Sequence, residues 1–174
     1  MMNIYVFAGY TSGIASAGDV PISGIGVTPA APQGASFLKV ERGIPVIVDY
    51  GGGYNGYITD ETRVFVVGEL QEMFRKPYAV AREIVEDATS FGRAGVNATA
   101  LFTRAHQMAQ KAGLEEHFMG HGEGQVSFIG HGLGLEINEM PLITARHSMV
   151  LKEGMVFAFE PKFVFPGVGA IGIE

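Results

Sequence analysis

The stretch VDYGGGYNGYITDETRVF, residues 48–65, carries two aspartates eleven positions apart on either side of an Asn-Gly pair. Asn-Gly between two apolar, β-branched runs is a strong hairpin signal, because both central residues of a type I′ turn need positive φ. With Asn55-Gly56 as the turn, Tyr54 pairs with Tyr57, Gly51 with Asp60, and Asp49 with Thr62. Side chains alternate faces along a strand, so Asp49, Gly51, Asp60 and Thr62 share one side. The aspartates are then diagonal neighbours, about 7–8 Å apart at the backbone. Gly51 and Gly53 leave room above that side. Two readings stand at this point. The acids are solvated residues near a turn, or they converge on one ion or on two ions about 3.5–4 Å apart.

The flanks extend the pattern. IPVIVD (44–49) and YITDETRVFVV (57–67) read as strands, and Asn3 to Tyr10 as another. GDVPISGIGVTPAAPQGAS (18–36) is too rich in Gly and Pro for a helix. From Gln71 to Phe91, residues Tyr78, Ala81, Ile84, Val85, Ala88 and Phe91 recur at helical spacing. Asn97 is placed to cap a second helix carrying Leu101, Phe102, Ala105, Met108 and Ala109, with Gly113 just past its end. After Gly120 the chain returns to glycine-punctuated strands, QVSFIGHGLGLEI and MVFAFEPKFVFPGVGAIGIE. Strands, then helices, then strands predict one α+β domain over residues 1–174, an antiparallel sheet with helices on one face.

Further acids lie inside the apolar runs. Glu160 follows Phe157-Ala158-Phe159, and Glu174 ends AIGIE. They are fourteen residues apart, so they sit opposite one another across an odd-length loop, such as three residues around Gly167. Carboxylates flanked by Phe and Ile need a partner in a core. A metal satisfies them, and so does an arginine, with Arg63 and Arg146 as candidates. GHGLG holds His131 between glycines that let the backbone pass close to a neighbour, and an earlier copy, GHGEG, holds His121. A lone histidine is more often a satisfied core or surface residue than a ligand; two acidic hairpins in the same chain favour the ligand. Neither glycine cluster opens a helix, as a dinucleotide fingerprint must.

Composition narrows the chemistry. The chain has 174 residues, 47% hydrophobic and 17% charged, which reads as globular. Its formal charge is −6 and it has no Lys/Arg run, which argues against a nucleic-acid partner. It has no cysteine, so any metal takes oxygen and imidazole ligands, which suits manganese, iron(II), cobalt or zinc. No apolar run reaches the roughly 18 residues of a membrane span. MMNIYVFAGYTSG lacks the basic start of a signal peptide, so cytoplasm is the default location.

Taken together, Asp49, then Asp60 within D-x-T-R, then G-H-G-x-G, E-P and a closing Glu174 resemble the pita-bread metallopeptidases. These include methionine aminopeptidase, aminopeptidase P and prolidase. GIPVIVDYGGGYNGYITDETRVF and FIGHGLGLEINEMPLI look most like the Xaa-Pro peptidase branch, and the resemblance covers nearly all of the chain. It implies a curved antiparallel sheet with helices on its outer face. It implies two divalent ions, manganese or cobalt first and zinc or iron next. Asp49 would bind one ion, Asp60 and Glu174 would bridge both, and His131 and Glu160 would complete the other shell. A water bridging the ions would attack the scissile carbonyl of a short peptide, with Glu160 passing its proton to the leaving amine.

Three departures from the family pattern follow. The usual H-E-x-P segment reads Asn138-Glu139-Met140-Pro141, so the substrate meets an amide that donates a hydrogen bond but transfers no proton. Residues 1–48 contain no histidine where Xaa-Pro peptidases place a substrate-facing one, and His121 is the spatial substitute to look for. The match starts near Met1 and stops at Glu174, so a catalytic-domain fragment lacking the first helix pair is expected. Its bared sheet face would favour a homodimer. The competing functions are a non-metal hydrolase of the creatinase type and an inactive, peptidase-like binding module on the same fold.

Overall fold

The computed structural model describes residues 4–14 and 20–174. The turn at Asn55-Gly56 forms with φ of 51° and 85°, the left-handed pair that a type I′ hairpin requires. It joins β2 (Pro45–Tyr54) to β3 (Tyr57–Val66), and their register runs without a bulge from Tyr54 opposite Tyr57 to Pro45 opposite Val66. Gly51 lies opposite Asp60 and Asp49 opposite Thr62, as the turn dictates. β1 (Ile4–Ala8) pairs antiparallel with the outer edge of β2, Tyr5 opposite Asp49 and Phe7 opposite Ile47. Asn3, the expected start of that strand, lies outside the described residues. The chain then tightens into a 3₁₀ turn at Gly9–Gly13. From residue 20 to 36 it is irregular, as its Gly and Pro content predicts.

Two helices follow. α1 (Glu72–Phe91) and α2 (Ala98–Lys111) start at the predicted places, and the Asn97 side chain accepts from the Thr99 N–H at 3.0 Å. Gly113 ends the second with φ of 72°. The buried stripes Phe74, Ala81, Ile84 and Ala88 of α1 and Leu101, Ala105 and Ala109 of α2 join one core. Across from them lie Ile129, Ile143, Phe159, Phe163 and Ile171 from the later strands.

Those strands form two further antiparallel sheet sections. β4 (Phe128–Gly132) lies between β5 (Glu139–Thr144) and β6 (Phe157–Phe159), while β7 (Lys162–Phe165) pairs with β8 (Gly169–Gly172). Among the described residues the expected curved antiparallel sheet is built as three hydrogen-bonded sections of three, three and two strands. One break falls at Glu160-Pro161, between β6 and β7, where proline has no N–H to give a ladder.

Alternation decides what each face carries. On β7 and β8, Phe163 and Ile171 point into the helix-covered core. Val164 and Ala170 point to the other side, where they form a smaller cluster with Phe7, Ile22 and Ile47. By the same period of two, Glu160, Lys162 and Glu174 belong to this second side.

Candidate metal centre

The second side of the sheet collects the acids. The β7–β8 hairpin turns through Pro166, Gly167 and Val168, with Phe165 opposite Gly169 and Lys162 opposite Gly172. Continuing that register outward by two residues sets Glu160 opposite Glu174, the pairing their spacing predicts. From the first hairpin, Asp49 and Asp60 face the same space. β4 supplies His131. Its neighbours have to be glycine: a Cβ on Gly130 would lie 2.3 Å from the Ala158 carbonyl oxygen, and one on Gly132 would lie 2.3 Å from that of Met140. The glycines let β4 run tightly between its two partners and leave the imidazole as the one bulky group there.

One oxygen each of Asp60 and Glu174 and one ring nitrogen of His131 lie within 4.8 Å of one another. His131 Nε2 is 3.7 Å from Asp60 Oδ2 and 3.6 Å from Glu160 Oε1. His131 Nδ1 is 3.3 Å from the Gly132 carbonyl oxygen. The tautomer that donates there leaves a lone pair on Nε2, turned toward the acids, as in a metal-ligating imidazole. Thr62, fully buried, donates from Oγ1 to Glu174 Oε2 at 2.8 Å. Glu174 Oε1 is buried and has no hydrogen-bond partner among the described residues.

Electrostatics reflect this crowding. Burial, with Asp49 and Glu160 nearby, pushes the Asp60 carboxyl up to about 6. Burial and the same cluster of acids push Glu174 up to about 8, against the pull of Lys162. Metal-free, the centre therefore holds protons that solvent-exposed carboxylates release.

The counter-charge is not where the sequence reading sought it. Arg63 donates to Glu61 Oε1 and to the backbone oxygens of Thr62 and Glu174, and Arg146 lines a separate groove beside Asn97 and Ser148. Instead Lys162, 1% exposed, puts Nζ 2.5 Å from Glu160 Oε2, 3.7 Å from Asp49 Oδ2 and 3.9 Å from Glu174 Oε2. Burial alone would lower its pKa; Glu160, Glu174 and Asp49 outweigh that and hold it above the ordinary lysine range. The signal was present in the sequence. Lys162 stands two residues after Glu160 in an apolar strand, hence on the same face.

A cavity of about 270 Å³ opens over the centre. Its polar wall is Asp49, Asp60, His131, Glu160, Lys162 and Glu174, and its apolar wall includes Tyr5, Phe7, Ile22, Phe128 and Ile137. Asn138 stands at its edge, exposed. His121 is elsewhere: its ring stacks on His117 at 5.5 Å and its Nδ1 is 3.1 Å from the Glu116 carbonyl oxygen, outside the cavity lining. Its segment turns through a 3₁₀ helix at Gly122–Gly124 before β4 begins, which carries it away from the acids.

The fold gathers four carboxylates and an imidazole under a small cavity, a donor set that fits a divalent ion. The chain belongs to metallopeptidase family M24, whose sequence profile matches residues 6–174. It is 37% identical over 146 residues to a Xaa-Pro dipeptidase of Pyrococcus furiosus, covering 83% of this chain and 40% of that one. Among solved structures, a dipeptidase of Pyrococcus horikoshii superposes with a TM-score of 0.77 at 32% identity, over 97% of this chain and 41% of the other. The prolidase of Pyrococcus furiosus gives 0.77 at 30% identity, over 97% and 43%. The chain thus spans about 40% of the length of the curated relatives it matches. The neighbours share the pita-bread fold that the motifs imply.

Proposed function

We propose that this chain is the catalytic part of a metal-dependent exopeptidase that hydrolyses the N-terminal bond of short Xaa-Pro peptides. One observation carries the reading: ligand atoms of Asp60, His131 and Glu174 converge within 4.8 Å, beside a buried Glu174 Oε1 that no group among the described residues satisfies. A buried carboxylate oxygen without a donor is costly unless a cation takes its place. The residues fit a divalent ion of the manganese or cobalt kind, with oxygen and imidazole donors and no thiolate. Asp60, His131 and Glu174 would hold it, with Glu160 beside them. When bound, such an ion supplies Lewis acidity toward a peptide carbonyl and lowers the pKa of water.

The protein's own groups supply the rest. Glu160 Oε1, on the His131 side, takes a proton from the attacking water as its oxygen bonds the scissile carbonyl carbon, and returns it to the amine as the C–N bond breaks. The cavity of about 270 Å³, walled by Phe7, Ile22, Phe128 and Ile137, suits a proline ring or a small apolar side chain. Asn138 at its edge offers an amide N–H to a substrate carbonyl. The two-ion arrangement implied by the resemblance also needs Asp49 as a ligand, and Asp49 faces Lys162.

The test is turnover of a series of Xaa-Pro dipeptides by metal-free and manganese-loaded protein. Cleavage that appears on loading and disappears on chelation is expected. Cleavage indifferent to chelation would overturn the reading. The second reading, an inactive peptide-binding module, is favoured by the ammonium among the acids. It predicts peptide binding without turnover under every metal.

A further inference from the structure

The acidic centre has two halves. In the first, His131 Nε2 stands 3.7 Å from Asp60 and 3.6 Å from Glu160, with Glu174 in reach of both. In the second, Lys162 Nζ stands 2.5 Å from Glu160, 3.7 Å from Asp49 and 3.9 Å from Glu174. Glu160 divides its oxygens between them, Oε1 toward His131 and Oε2 toward Lys162. Glu174 likewise reaches both groups. This is the layout of a paired-cation site in which one cation belongs to the protein.

A second divalent ion would need the carboxylates that Lys162 already serves. Such an ion would be held by the same carboxylate oxygens as the ammonium. Two like charges do not share that space. Nor is the ammonium free to leave. The side chain is 1% exposed, and a Cβ on Gly172, directly opposite, would come within 2.6 Å of Lys162 Cγ. The stem therefore occupies the space that glycine vacates. Its Nζ donates a hydrogen bond to Glu160 and stands within ion-pair distance of Asp49 and Glu174.

We propose that Lys162 is a resident cation filling one of two ion positions, so that this chain binds a single divalent ion, at Asp60, His131, Glu174 and Glu160. Asp49 is then the counter-ion of Lys162 and not a metal ligand. The inference rests on the metal-binding reading above.

Equilibrium dialysis of the full chain against manganese(II), with bound metal counted by atomic emission, tests it. The wild type is expected to bind one ion per chain, and Lys162→Ala two. Lys162→Ala combined with Asp49→Asn is expected to fall back to one. Electron paramagnetic resonance of the loaded proteins gives a second readout: an isolated-ion hyperfine pattern for the wild type and the broadened signal of a coupled pair for Lys162→Ala. Two ions on the wild type, or still one on a folded Lys162→Ala, would overturn the proposal and leave the metal reading standing. No manganese on the wild type would overturn both. Should Lys162→Ala fail to fold, Asp49→Asn alone decides. One ion retained supports the counter-ion role, and loss of the ion overturns it.

Discussion

At the scale of single residues, the centre depends on which charges are shared and which are merely near. Asp60 lies within reach of His131 and Glu174. Asp60→Asn keeps its shape and removes the charge, so manganese-dependent peptide cleavage should fall below detection; full turnover by this variant would refute the centre. Asn138 lines the cavity without belonging to the acidic cluster. Asn138→His should therefore redistribute kcat/KM across a peptide series and leave metal stoichiometry unchanged. Thr62 acts through Glu174, donating to it from full burial. Thr62→Val should cost about 1–3 kcal/mol of metal-free stability, read from denaturant midpoints, because a buried acceptor loses its donor. Alternation about the two turns sets Asp49 with Asp60, and Glu160 with Glu174, on shared faces of their hairpins; His131 lies on a separate sheet and is legible only through the G-H-G-x-G resemblance. Lys162 is less legible, because a lysine in an apolar strand has no evident role until Glu160, two residues earlier on the same face, is counted as its partner. His121 lies outside the cavity lining, since a repeated GHG motif says nothing about the path of the chain between its copies.

At the scale of elements, turn chemistry made two hairpins legible to the residue. Asn55-Gly56 fixes one register, and the odd loop around Gly167 fixes the other. The division into three sheet sections was less visible, since it depends on Pro161 and on register shifts in β4 that no alternation pattern encodes. The tight seat of β4 gives a sharp expectation. Gly130→Ala drives a Cβ to 2.3 Å from a backbone oxygen of β6, where no side chain can give way. It should cost at least about 1–3 kcal/mol and lower the thermal midpoint even when the ion is bound. Gly56→Ala, by contrast, meets nothing within 4 Å and carries only the penalty of its φ of 85°. It should cost about 1–2 kcal/mol without touching the centre.

At the scale of the whole molecule, the acids couple stability to pH. Glu174 is raised from 4.5 to about 8 and Asp60 from 3.8 to about 6. Between those limits the folded state binds more protons than the unfolded state, so metal-free stability must fall as pH rises. The contribution is fully present below the unfolded values and lost as pH climbs through the folded ones. Lys162, raised above its ordinary 10.5, contributes a constant amount across this window. Ligands must be deprotonated to bind metal, so manganese affinity should climb over the same range. Denaturant titrations of metal-free protein at about pH 5 and about pH 8.5 should show the acidic sample more stable; the reverse order would mean the acids ionise freely. The two hairpins carry one more implication, for anyone wishing to rebuild the molecule. Their tips, at Asn55-Gly56 and at Pro166 to Val168, lie beyond the pairs that orient the acids. A reporter or affinity handle spliced at either tip should leave the ligands in place. One extra amino acid inside a strand would swing a carboxylate through the sheet into the oily layer beneath the helices.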